Sequence, residues 1–74
     1  MKVYPVFYRP PDHPESYVVR SFEITADGPV PAPAPLAVVA ELTEARRAIR
    51  SAAPGSIRVE RYPDDDPMLV EAWL

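Results

Sequence analysis

Ile57-Arg58-Val59-Glu60-Arg61-Tyr62, then Pro63-Asp64-Asp65-Asp66-Pro67, then Met68-Leu69-Val70-Glu71-Ala72-Trp73-Leu74 is the stretch on which the fold turns. Its two apolar-rich segments alternate as strands do, sending successive side chains to opposite faces of a sheet. The acidic loop between them is bracketed by prolines and short enough for a hairpin. Ile57 and Val59 share a face, with Met68, Val70 and Ala72 available to meet them; Leu69, Glu71 and Trp73 then fall on the other side.

Upstream, Pro54-Gly55 stops a helix. From about Glu41 to Ala53, Leu42, Ala45, Ile49 and Ala52 or Ala53 keep the three-and-four spacing of one buried face. Glu41 and Glu44 lie toward its N-terminal end and Arg46, Arg47 and Arg50 toward its C-terminal end, as the helix dipole favours. Leu36-Ala37-Val38-Val39-Ala40 reads either as a short strand or as the helix's first turns. Before it, Pro29-Val30-Pro31-Ala32-Pro33-Ala34-Pro35 has proline at every second position and reads as an extended polyproline-like spacer.

The N-terminal third supplies two more strands. Val3 to Tyr8 is β-branched and aromatic, and Pro5 suggests an edge position, because proline donates nothing to a ladder. Tyr17 to Thr25 follows a rigid Pro10-Pro11-Asp12-His13-Pro14 connection. Its apolar residues change parity near Arg20-Ser21, which calls for a bulge there or apolar cover on both faces. The expectation is one α+β domain over residues 1–74: a small antiparallel sheet of four or five strands with one helix on one face, in β-β-(β)-α-β-β order.

A chain of 74 residues removes only about 60% of its unfolded surface from water, so its stability is marginal. Its 47% hydrophobic and 26% charged content is ordinary for a globular domain despite 11 prolines. With no cysteine it has neither disulfides nor cysteine-ligated zinc. The formal charge of −3 argues against nonspecific nucleic-acid binding. No signal-peptide pattern and no run of roughly 18 apolar residues is present, so a cytoplasmic location without membrane contact is expected.

Tyr8-Arg9-Pro10-Pro11-Asp12-His13-Pro14, Tyr17-Val18-Val19-Arg20, Asp64-Asp65-Asp66-Pro67 and Val70-Glu71-Ala72-Trp73-Leu74 together resemble a group of small uncharacterised bacterial and phage-associated proteins. The resemblance implies a free-standing bacterial protein and transfers no functional residue.

Candidate sites are few. Asp64-Asp65-Asp66 offers oxygen ligands without the alternating spacing and central glycine of a Ca²⁺ loop, so no metal is expected. His13 is the sole histidine, and no placed nucleophile accompanies it; no glycine-rich phosphate loop exists, so neither catalytic residues nor a cofactor are expected. Arg46, Arg47, Arg50, Arg58 and Arg61 form a candidate anion patch if they converge, or a solvated face if they do not. Trp73 and Tyr17 are candidate interface residues, on the reading that Trp73 stands away from the core; the alternative is that Trp73 closes the core. The functional expectation is a noncatalytic protein-interaction module, self-associating as a homodimer or binding another protein. An arginine-based nucleic-acid regulator and a metal-dependent enzyme are the alternatives.

Overall fold

In the computed structural model, which describes all 74 residues, strands β1 (Lys2–Tyr8), β2 (Tyr17–Val19), β3 (Phe22–Thr25), β4 (Gly28–Pro31) and β5 (Ala37–Val39) precede helix α1 (Leu42–Ala52), and β6 (Arg58–Glu60) and β7 (Leu69–Trp73) follow it. All pairings are antiparallel. β1 is central, with β7 and then β6 on one side, β2 and β3 on the other, and β5 and β4 beyond them. The domain is α+β as expected, with more strand segments than the sequence suggests.

The extra segments are halves of two longer strands, and proline is responsible for both breaks. β2 and β3 keep one register against β1, from Tyr8↔Tyr17 to Lys2↔Glu23, so no bulge interrupts them. Between the halves, Arg20 N–H donates to the Pro5 carbonyl at 3.0 Å. The reciprocal bond is missing because Pro5 has no N–H. Pro5 thus sits in the central strand, not at an edge, and the ladder lapses opposite it.

The proline-rich segment is likewise corrected: its first part is strand β4. Glu23↔Val30 and Thr25↔Gly28 alternate with Phe22↔Pro31 and Ile24↔Pro29. The Ala32 N–H bond to the Ser21 carbonyl, at 2.8 Å, sets the phase of the ladder. Pro29 and Pro31 therefore occupy the positions whose N–H groups would point away from β3. Proline at every second residue matches the pleat, removing donors only from the outer edge. Pro33-Ala34-Pro35 loops out, because Leu36 N–H already returns to the Val19 carbonyl at 2.8 Å.

The β3–β4 turn, Ala26-Asp27, is closed by Thr25 Oγ1, which donates to the Gly28 carbonyl at 2.7 Å. Gly28 has φ of 110°, and a Cβ added to it would meet nothing within 4 Å. Space is thus no obstacle to a side chain there; conformation is. Gly28→Ala should lower stability by roughly 1–2 kcal/mol, measurable as a shifted urea midpoint.

One sheet face carries the core. Tyr4, Val6, Val19 and Trp73 pack against Ala45 and Ile49 of α1, with Leu42 and Ala53 at the margins. The helix begins without a side-chain cap at Glu41 and ends with Ala53 N–H bonded to the Ile49 carbonyl. β7 meets β1 with a bulge: Val6↔Glu71 is followed by Phe7↔Leu69, leaving Val70 as the extra residue.

The other face is apolar too. Val3, Pro5 and Phe7 of β1 alternate onto it, opposite Phe22, Arg20 and Val18. Ala72 and Val59 extend it in one direction, Ile24 and Val38 in the other. Arg20, the charge on this face, is bonded to Asp12 of the β1–β2 loop. Val18 is fully buried, whereas Ile24 and Val38 are each 41% exposed. No helix or second sheet lies over this side.

Candidate functional site

The densest polar cluster lies under the helix. Glu71 is 1% exposed, on the core face of β7. Arg46 of α1 grips it in a bidentate pair, Nη2 donating to Oε1 at 2.8 Å and Nε to Oε2 at 3.1 Å. The indole N–H of Trp73 donates to Oε2 at 2.8 Å. Arg58 Nη1 of β6 stands 3.7 Å from Oε1.

Burial by itself pushes the Glu71 carboxyl up. The hydrogen bonds from Arg46 and Trp73, with the charges of Arg46 and Arg58, outweigh it and hold the group below the usual carboxylate range. Arg46 is raised in turn, chiefly by its hydrogen bond to Glu71. Both carboxylate oxygens are engaged from within the chain, so the cluster is a clamp between helix and sheet.

This arrangement corrects the reading of Trp73 as an outer-face anchor. Trp73 is 7% exposed and closes the core, and Tyr17 lies half-buried on the same helix-covered side, its ring 4.6 Å from that of Tyr8. Neither stands on the outer face. The arginines do not converge on a common anion site: Arg46 and Arg58 turn to Glu71, and Arg61 donates to the Asp65 carbonyl at 2.9 Å. Arg47 and Arg50 lie exposed on the helix without ion-pair partners. Nucleic-acid binding in physiological salt should accordingly be weak, and Arg47→Glu should change it little. Fluorescence anisotropy with a labelled oligonucleotide checks this: submicromolar, steeply salt-dependent binding lost in Arg47→Glu would contradict it.

The acidic loop uses its carboxylates as turn caps. Asp65 Oδ2 accepts from Tyr62 N–H at 2.7 Å and Asp66 Oδ1 from Met68 N–H at 2.9 Å. No three histidine or acidic side chains are grouped as metal ligands. His13 Nε2 lies 3.8 Å from Asp12, whose carboxylate is shared with Arg20, and no hydroxyl joins them. A shallow depression of about 380 Å³ beside the end of α1 is lined by Lys2, Tyr4, Pro54, Ser56 and Leu74 among others. Ser56 Oγ is buried there without a hydrogen-bond partner, and nothing in the structure explains it.

No protein-family model matches the chain, and no curated protein or solved structure matches it. No helix is long and apolar enough to cross a membrane. Two surface features stand apart from these clusters: the apolar outer sheet face and the free edge of β6.

Proposed function

We propose that the protein is a noncatalytic protein-interaction module of the bacterial cytoplasm that associates with itself. Its support is the outer sheet face, apolar from Val59 to Val38 and without a second layer. A sheet that carries apolar residues on both faces ordinarily has both covered. With eight buried residues and no disulfide, the chain gains more from covering that face than a larger domain would.

Sedimentation equilibrium over a concentration series, with methyl NMR on the same samples, tests the proposal. Mass should rise above that of the monomer with concentration. Outer-face methyls should shift with concentration while those of Val6 and Val19 in the core stay fixed. An ideal monomer at high micromolar concentration, with no methyl shifts, would overturn self-association.

A further inference from the structure

β6 is the last strand on its side of the sheet, paired with β7 alone. Ile57 and Leu74 exchange both backbone hydrogen bonds, at 2.8 and 3.0 Å. Antiparallel alternation then turns the N–H and C=O groups of Val59 toward β7 and those of Arg58 and Glu60 outward, where they have no partner strand. The opposite end of the sheet differs, since Pro29 and Pro31 strip the outward donors from β4.

From this edge we propose that a second copy of the chain docks by antiparallel β6–β6 pairing about a two-fold axis through Val59. The proposal rests on the self-association argued above and adds an edge contact to it, one that sets the two outer faces side by side without itself covering them. Only registers that oppose outward groups to outward groups form bonds. Centring on Arg58 would set arginine against arginine, and centring on Glu60 would set glutamate against glutamate. Centring on Val59 places each Arg58 opposite the partner copy's glutamate at position 60, so both hydrogen-bonded pairs unite unlike charges. Charges on an edge strand usually repel a second strand; this alternation is self-complementary.

The same register brings the exposed Ile57 opposite the aliphatic stem of an arginine at position 61 and makes the two outer faces continuous through Val59. Three residues of edge are a small contact, so the dimer should be in the micromolar range.

Because the chain has no cysteine, Val59→Cys introduces a single thiol. At the axis it would face its own copy across a non-hydrogen-bonded pair, with Cα atoms about 4.5 Å apart, within disulfide reach. Ile57→Cys is the control. That site is 70% exposed, but in this register it lies about 14 Å along the strand from its copy.

Under mild oxidation Val59→Cys should form covalent dimer at least about tenfold faster than Ile57→Cys. Glu60→Arg, at a side chain 82% exposed, should weaken sedimentation-measured self-association at least about tenfold while leaving the melting temperature unchanged. If the wild type associates but the Val59→Cys variant crosslinks no faster than the Ile57→Cys variant, or Glu60→Arg associates as well as wild type, the edge geometry is wrong and self-association stands by another surface. A wild-type monomer would overturn both.

Discussion

Ile49→Ala is expected to remove about 2–5 kcal/mol of stability, the range for truncating a large aliphatic side chain in a closed core. Ile49 is fully buried and is the largest apolar side chain that α1 commits to the sheet. Around it stand Tyr4, Val6, Val19 and Trp73, on three different strands. Those backbones are tied by ladder bonds and cannot close over a lost side chain. Ala45, the other buried helix residue, has too little area to compensate. A chain of this length has roughly 4–11 kcal/mol in total, so the variant should be substantially closer to unfolding. Urea denaturation followed by Trp73 fluorescence reads the change. Leu42→Ala, at a half-buried position, should shift the midpoint less, and equal effects would mean that the helix is seated on a different stripe.

The stripe is legible in the sequence because four side chains at helical spacing, ended by Pro54-Gly55, leave little choice of face. The final hairpin is legible for a similar reason: two short alternating runs with a turn between them admit one pairing. The identity of the buried face of β7 is not. Val70 and Ala72 look like core residues and Glu71 like a solvent residue, because an acid is rarely buried without a partner. Val70, the bulge residue, does pack against the core, but Ala72 turns to the outer face and the guanidinium of Arg46 holds Glu71 buried. A signal does exist: Arg46 lies beside Ala45 on the apolar stripe, where a cation needs a counter-charge, and Glu71 is the sole acid in the final apolar run. Likewise, proline at every second residue suggests polyproline when read locally, yet two is also the period of a pleat. Only the partner strand decides between them. Pro5 reads as an edge residue because that preference is statistical, and a central strand tolerates the loss of one ladder bond.

Arg46→Ala is expected to cost about 3–5 kcal/mol at neutral pH, because it leaves the Glu71 carboxylate buried without its principal counter-charge. Arg58 at 3.7 Å and the Trp73 indole remain, which favours the lower end of that range. Arg47→Ala, one residue on and exposed, should change stability by less than about 0.5 kcal/mol. The pH dependence separates a charge effect from lost packing. In the wild type Glu71 titrates below its unfolded value, so its contribution is fully present above that value and disappears as pH falls through the lower folded one. Without Arg46, burial dominates and the folded carboxyl should titrate above the unfolded value. Protonation then favours the folded state, and the variant should recover stability as the pH falls from 7 toward 4, where the wild type gains nothing from this group. Urea midpoints at several pH values between 3 and 7 should therefore converge on the acid side. A gap that stays constant across that range would show that Arg46 acts through its aliphatic stem, and that Glu71 is held by its other partners.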